Sequence, residues 1–308
     1  MKPFASRIAR AGRLILDGGL ASELERAGAD LGHFLWSAKL LIENPEAIAS
    51  VNRAFALAGA DIVTTATYQA TFEGLERIGF DHGAAENLLR QAVTLTRRSV
   101  VEAMPENPPL VAASIGSYGA FLADGSEYSG QYGLAREKMK NFHRERLACL
   151  ARTDADLLAF ETFPSFEESV VVAELLAEDS CEKEAWFSFT CRGAAEMSDG
   201  TPIETVASAL ADFPMIAAVG VNCVVPEWIP ELVARLRDGL QGRAAVIVYP
   251  NAGKGWDVGK KTWRGHETPE AFAAAARDWA TAGADVIGGC CLTTPDHIRA
   301  LAAPGVVR

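Results

Sequence analysis

The sequence has no long hydrophobic run and no cluster of basic residues. Nowhere do about 18 apolar residues follow one another, so no segment is predicted to span a membrane. The first 13 residues contain one lysine and three arginines but lack the apolar core of a secretory signal. The net charge of −11, without basic clusters, argues against nucleic acid as a partner.

Cysteine and histidine are scarce, with six and five residues in a chain of 308. Six cysteines in a chain of this length are not typical of a disulfide framework, and we therefore expect a reducing cytoplasm. No cluster of histidine and carboxylate residues is apparent of the kind that zinc hydrolases use to activate water. Cys149, Cys181 and Cys191 are expected to be small hydrophobic side chains without a chemical role.

Short apolar runs alternate with amphipathic segments along the chain. Eight runs predict buried strands, at residues 14–17, 62–66, 110–114, 157–161, 185–190, 216–222, 246–249 and 286–290. The segments between them that predict helices include 45–58, 84–104, 131–151, 167–176, 203–213, 226–236 and 270–282. Asn44 and Thr268 each stand before a proline, which is a helix-start signal.

This alternation predicts an α/β fold, a (β/α)₈ TIM barrel that forms a single domain over residues 1–308. The rival is a doubly wound open sheet, which usually carries G-x-G-x-x-G after its first strand. Here that strand ends in Asp17-Gly18-Gly19-Leu20, without this spacing. In a barrel, the long segments 21–44 and 116–130 are expected over the mouth, where barrel enzymes bind substrate.

Three cysteines stand at predicted strand ends. Cys223 closes the sixth strand, and Cys290 and Cys291 close the eighth after two glycines. The carboxyl ends of barrel strands share one face, so these thiols can converge despite their separation in sequence. Three thiolates suit a tetrahedral thiophilic metal such as zinc, with a fourth position open as in catalytic sites. The alternative is three small buried hydrophobic residues, and no spaced motif such as C-x₂-C decides between the two.

Two carboxylates and several aromatic residues accompany these cysteines. Asp17 ends the first strand and Glu161 the fourth, where an unpaired charge is costly unless a partner such as a ligand ammonium satisfies it. A helix cap or bonds to backbone amides are the alternative. Aromatic rings attract a cation by about 0.5–2 kcal/mol each, although rings in a glycine-rich loop are often lid packing. The aromatic candidates are Trp36, Tyr68, Tyr118 and Tyr128.

The sequence resembles the homocysteine S-methyltransferases in order from about residue 14 to residue 299. The motifs that carry the resemblance are Asp17-Gly18-Gly19, Leu35-Trp36-Ser37, Thr67-Tyr68-Gln69-Ala70, Phe160-Glu161-Thr162, Gly220-Val221-Asn222-Cys223, Tyr249-Pro250-Asn251 and Gly288-Gly289-Cys290-Cys291. Residues 122–128 and 186–190 look most like bacterial members that use S-methylmethionine or S-adenosylmethionine.

The resemblance implies a zinc-dependent methyltransferase that converts homocysteine to methionine, with one Zn²⁺ per chain on the three cysteines. Asp17 and Glu161 would hold the homocysteine ammonium, the aromatic candidates would bind a sulfonium donor, and Asn222 and Tyr249 would complete the substrate site. S-methylmethionine is the favoured donor, with S-adenosylmethionine second.

Three other interpretations stay open at this stage. Betaine is a less favoured donor, because the sequence shows no counterpart of the carboxyl-terminal extension of betaine-using relatives. Selenocysteine could replace homocysteine as the acceptor, and a catalytically silent zinc- or thiol-binding protein could share the scaffold. We expect a monomer or a small homo-oligomer.

Overall fold

The computed structural model describes residues 2–253, 256–257, 262–263 and 265–308. In this part of the chain, eight parallel strands form one sheet, and a small antiparallel pair stands apart from it. The sheet strands are β1 (Leu14–Ile15), β2 (Ile62–Thr64), β3 (Leu110–Gly116), β4 (Leu157–Phe163), β5 (Glu184–Phe189), β6 (Ile216–Asn222), β7 (Ala245–Tyr249) and β10 (Val286–Ile287). The antiparallel pair consists of β8 (Trp256–Asp257) and β9 (Thr262–Trp263).

The sheet closes into a barrel. Its strand order is β1-β10-β7-β6-β5-β4-β3-β2, so β1 and β2 are the two ends that must meet. Leu16 forms a parallel bridge with Ile62, and the Asp17 N–H donates to the Ile62 carbonyl over 3.1 Å. The predicted (β/α)₈ barrel is confirmed and the open sheet is excluded, because these contacts leave no free sheet edge.

Helices surround the barrel, and their starts follow the capping signals. The Asn44 side chain accepts from Ala47 N over 3.2 Å, and the Thr268 side chain accepts from Ala271 N over 3.3 Å. The helices are α1 (Pro3–Ala11), α2 (Leu20–Arg26), α3 (Leu40–Glu43), α4 (Pro45–Ala58), α5 (Phe72–Glu76), α6 (His82–Ala103), α7 (Tyr118–Leu122), α8 (Arg136–Ala151), α9 (Phe166–Glu178), α10 (Ile203–Leu210), α11 (Ile229–Leu240), α12 (Pro269–Ala282) and α13 (Pro295–Leu301). Single 3₁₀ turns occupy Trp36–Lys39, Ser126–Tyr128 and Pro226–Trp228.

Several ends differ from the prediction. Strands β1 and β10 are shorter than expected, so Asp17 and Cys290 lie beyond the last paired residues, whereas β4 continues past Glu161. Strand β10 ends early because the next N–H groups leave the regular hydrogen-bond ladder. Gly289 N donates to the Asp17 carbonyl over 3.0 Å, and Cys290 N donates to the Pro250 carbonyl over 2.8 Å. The predicted helix 226–236 begins as a 3₁₀ turn and ends later, and the one at 131–151 begins five residues later.

The barrel interior is filled by side chains of the strands. Trp186 is the largest of them and is 1% exposed, and it shares its cluster with the alanines at 112, 159 and 218, which leave room for its indole. Helix α1, which the sequence did not predict, covers the end where the strands begin. Phe4 packs into the same cluster, and the Glu184 carboxylate accepts from Phe4 N over 2.8 Å. The opposite end of the barrel therefore remains for the site.

Among the described residues, no helix combines the length and apolar character needed to cross a lipid bilayer.

Candidate active site

The three predicted cysteines come together at the carboxyl ends of the strands. The Sγ atoms of Cys223, Cys290 and Cys291 all lie within 4.8 Å of one another. The Cys223 and Cys291 sulfurs are 3.8 Å apart. A tetrahedral zinc with Zn–S bonds of about 2.3 Å separates its sulfur ligands by about 3.8 Å. The sulfur spacing therefore fits such an ion.

The backbone holds each cysteine in place. Cys223 directly follows β6 with a left-handed φ of 56°, which a residue with a side chain adopts at a cost of about 1–2 kcal/mol. Its N–H donates to the Tyr249 carbonyl over 3.2 Å, and this bond fixes the turn. Cys291 N donates to the Asn251 side-chain oxygen over 3.0 Å. The ends of β6 and β7 thus orient the sulfurs together.

The three thiols differ in how readily they ionise, and Cys223 is the one favoured as a thiolate. Hydrogen bonds from Cys290 and Cys291 lower the pKa of Cys223, since they stabilise its thiolate. Hydrogen bonds to Cys223 raise the pKa values of Cys290 and Cys291, and burial and the negative charge of Cys223 raise them further. A thiophilic cation would displace the remaining thiol protons, which is the usual coupling of metal binding to proton release.

Asp17 and Glu161 are both buried beside this cluster. Asp17 Oδ2 accepts from the Thr64 N–H over 2.7 Å and from the Thr64 hydroxyl over 3.0 Å. Glu161 Oε2 accepts from the Ser114 hydroxyl. Burial raises the pKa of each carboxyl to about 7, and no ion pair with a basic side chain of the described ranges offsets it. A cation that enters the site would restore both charges.

A cavity of about 330 Å³ opens at this end of the barrel. Segments 21–44 and 116–130 both contribute to its lining, as the barrel prediction requires. The predicted site residues that line it are Asp17, Trp36, Tyr68, Tyr128, Glu161, Asn222, Cys223, Tyr249, Cys290 and Cys291.

Tyr118 is the one predicted site residue outside this lining. Its ring packs against Phe121, Tyr132 and Phe142, with centroid distances of 5.6, 5.6 and 5.0 Å. It is the first residue of α7, and its N–H donates to the Glu168 carboxylate over 2.6 Å. The Tyr118 ring therefore belongs to this aromatic cluster and not to the cavity lining, despite its nearness in sequence to the other aromatic candidates.

The other three aromatic candidates form part of the cavity wall. The Trp36 and Tyr68 rings meet edge to face, with centroids 6.0 Å apart and an interplanar angle of 68°. The Tyr128 hydroxyl lies 3.7 Å from Cys223 Sγ, and 51% of the residue is exposed. Tyr128 therefore stands between the cysteines and solvent.

Asn222 and Tyr249 orient the residues around them. The Asn222 side chain accepts from Thr162 N over 2.9 Å and donates to the Thr162 hydroxyl over 2.8 Å. These bonds hold Thr162 at a left-handed φ of 60°, one residue after Glu161. The Tyr249 hydroxyl accepts from the Trp186 indole N–H over 3.1 Å and also bonds Ser188.

Comparison with known proteins assigns the chain to a family. Residues 14–304 match the family model for homocysteine S-methyltransferase. The chain belongs to the homocysteine S-methyltransferase family. Its curated relatives include the homocysteine S-methyltransferase of Escherichia coli K12, which is 44% identical over 295 residues, or 94% of each chain. The homocysteine S-methyltransferase YbgG of Bacillus subtilis 168 is 42% identical over 94% of this chain and 93% of its own length.

The fold agrees with this assignment. The crystal structure of the homocysteine methyltransferase MmuM from Escherichia coli in its metallated form has a TM-score of 0.87 and 40% identity. The match covers 98% of this chain and 99% of that one. The chain is therefore an enzyme that transfers a methyl group to homocysteine.

For such an enzyme, one further cavity residue stands out that sequence reasoning missed. Glu127 lines the cavity, and burial raises the pKa of its carboxyl to about 7. The Thr190 hydroxyl donates to the Glu127 carbonyl over 3.2 Å, which brings residues 122–128 into contact with residues 186–190. Glu127 lies in a loop, where no strand end marks it. In the sequence, Glu127 stands out only as a carboxylate in the motif of residues 122–128, where Tyr128 was the candidate site residue.

Proposed function

We propose that this methyltransferase takes its methyl group from a sulfonium donor, S-methylmethionine before S-adenosylmethionine, and converts homocysteine to methionine with one zinc ion held by Cys223, Cys290 and Cys291. The convergence of the three sulfurs, at a spacing that suits tetrahedral zinc, carries the proposal. Zinc bound there would keep the homocysteine sulfur as a thiolate at neutral pH, where a free thiol with a pKa near about 8.5 is mostly protonated.

Asp17 and Glu161 bind the homocysteine ammonium group. Both carboxyls lack a basic partner among the described residues, and both have a pKa raised to about 7 by burial. An ammonium between them favours the charged forms. Thr64 and Ser114 fix the two carboxylates by hydrogen bonds. The acceptor is thereby anchored beside the sulfur cluster.

The donor enters from the side of Trp36, Tyr68 and Tyr128. A sulfonium cation is attracted by aromatic faces and by the negative charge of the cavity. The homocysteine sulfur forms a new bond to the methyl carbon while the sulfonium C–S bond breaks, and its electron pair remains on the departing thioether. From S-methylmethionine that thioether is itself methionine. No proton moves in this step, so the chain needs no general acid or base at the methyl carbon.

The size of the cavity favours the smaller donor. Ligand sites commonly measure about 300–1,000 Å³. This cavity, of about 330 Å³, is at the lower end of that range and has to hold the acceptor as well. S-methylmethionine fits beside homocysteine more easily than a donor that carries a nucleoside.

The test is a comparison of kcat/KM for S-methylmethionine, S-adenosylmethionine and betaine at saturating homocysteine, with one zinc-loaded preparation. We expect the highest value for S-methylmethionine. A betaine value above both sulfonium values would contradict the proposal, and a preference for S-adenosylmethionine would reverse the donor order. Bound zinc without transfer from any of the three donors would likewise contradict the donor assignment.

A further inference from the structure

Glu127 is a third carboxylate in the cavity, beyond the two that the homocysteine ammonium uses. It lines the same space as Tyr68, Tyr128 and Cys223. No basic side chain of the described residues forms an ion pair with it, and burial raises the pKa of its carboxyl to about 7. The residue is half-buried, and a carboxylate withdrawn from water without a cationic partner is costly, so a ligand cation is the natural occupant.

The loop that carries Glu127 is fixed from two directions. A Cβ atom at Gly119 in α7 would lie 2.6 Å from Glu127 N, so only glycine lets the 3₁₀ turn Ser126–Tyr128 pack this closely. At the end of β5, the Thr190 hydroxyl donates to the Glu127 carbonyl over 3.2 Å. Ser198 in turn donates to Thr190 over 2.9 Å. The backbone of Glu127 is therefore held in position by two neighbouring segments.

Glu127 is separate from the pair of carboxylates at the strand ends. Asp17 follows β1 and Glu161 lies in β4, and the charge of Glu161 adds to burial in raising the pKa of Asp17. Glu127 lies instead in the 3₁₀ turn Ser126–Tyr128, between β3 and β4 in the chain, and lines the cavity together with Tyr68 and Tyr128. The cavity thus has two places for a cation, one at the ends of β1 and β4 and one in the loop beside Tyr68.

We propose that Glu127 binds the α-ammonium group of the methyl donor and so selects sulfonium donors that are amino acids. The inference rests on the proposed function, in which two amino acids share one cavity and each brings an ammonium group. Because Asp17 and Glu161 bind the ammonium group of homocysteine, Glu127 is left to bind the ammonium group of the donor. A donor without a primary amine has no N–H to offer it.

The experiment compares wild type with Glu127→Gln on two donors at saturating homocysteine. One donor is S-methylmethionine, and the other is dimethylsulfoniopropionate, a sulfonium carboxylate that lacks the amino group. We expect kcat/KM for S-methylmethionine to fall about 10- to 100-fold, the range of a charge-assisted hydrogen bond, and the other donor to change less than about twofold. KM for homocysteine and zinc content should not change.

Asp124→Asn is the matched control. Asp124 lies in the same loop, is exposed, bonds the Ser126 N–H over 2.9 Å and is outside the cavity lining. This variant should leave kcat/KM for both donors unchanged, and that result would exclude a general effect of charge in the loop. Glu127→Asp keeps the charge and should recover part of the lost activity.

Equal losses with the two donors, no loss with S-methylmethionine, or a raised KM for homocysteine would each overturn the assignment. Calorimetric binding of S-methylmethionine to the zinc-loaded protein separates this inference from the proposed function. If binding depends on Glu127 but no methyl is transferred, only the proposed donor fails. If wild type does not bind S-methylmethionine, both fail.

Discussion

Replacing Glu161 by glutamine should weaken homocysteine binding while leaving the zinc content unchanged. The glutamine oxygen can still accept from Ser114, so the variant removes the charge and little else. Because the carboxylate is only 9% exposed, its bond to an ammonium group is poorly replaced by water. Such charge-assisted bonds contribute about 1.5–3 kcal/mol, which corresponds to a Kd about 10- to 100-fold higher.

The same substitution should stabilise the ligand-free protein at high pH. The pKa of Glu161 is raised from 4.5 to about 7, and each pKa unit corresponds to about 1.4 kcal/mol, or about 3 kcal/mol in all. Because the folded state binds this proton more tightly than the unfolded state, stability falls as pH rises from 4.5 to about 7. Glu161→Gln removes this loss. We therefore expect its free energy of unfolding to exceed that of wild type by up to about 3 kcal/mol at pH 8 and by little at pH 4.

The assays are calorimetric titration with homocysteine and urea unfolding at the two pH values. Glu184→Gln is the matched control, a carboxylate 3% exposed at the opposite end of the barrel that accepts from Phe4 N and Ala5 N. It should lower stability and leave homocysteine affinity unchanged. Unaltered homocysteine affinity in Glu161→Gln would refute the ammonium assignment, and a loss of stability at pH 8 would show that the carboxylate is structural.

Three further predictions follow from the same geometry. Homocysteine binding to the zinc-loaded protein should weaken as pH falls from 8 to 6, because Asp17 and Glu161, with pKa values of about 7, become protonated; a titration that is flat over this range would contradict their role. Gly220→Ala should prevent folding, since the new Cβ would lie 1.6 Å from the Ile247 carbonyl oxygen, and a melting temperature like that of wild type would disprove this. Tyr118→Phe should leave kcat/KM for the sulfonium donors close to the wild-type value, because Tyr118 lies outside the cavity lining; a clear loss would show that Tyr118 belongs to the donor site.

The features that the sequence predicts well are those set by local pattern and barrel topology. Eight apolar runs separated by helical segments determined the barrel, since closed parallel sheets bury both faces of their strands. The convergence of Cys223 with Cys290 and Cys291 followed from the rule that strand carboxyl ends share one face. Neither conclusion required knowledge of side-chain packing.

The features that could not be predicted depend on contacts between distant segments. Tyr118 and Tyr128 lie in the same glycine-rich segment, yet only Tyr128 lines the cavity, because the Tyr118 ring packs against Phe142 of another helix. Glu127 reaches the cavity because Thr190, at the end of β5, holds its carbonyl. Helix α1 depends on Glu184, which is 180 residues away from Phe4 in the sequence.

In the proposed site, the three cysteines hold zinc and leave one position for the sulfur of homocysteine. Zinc X-ray absorption of the purified protein, recorded with and without homocysteine, tests it most directly. We predict three sulfur ligands at about 2.3 Å in the free protein and four after homocysteine is added. A sulfur count that does not rise with homocysteine, or a free protein whose zinc already has four sulfurs, would contradict it.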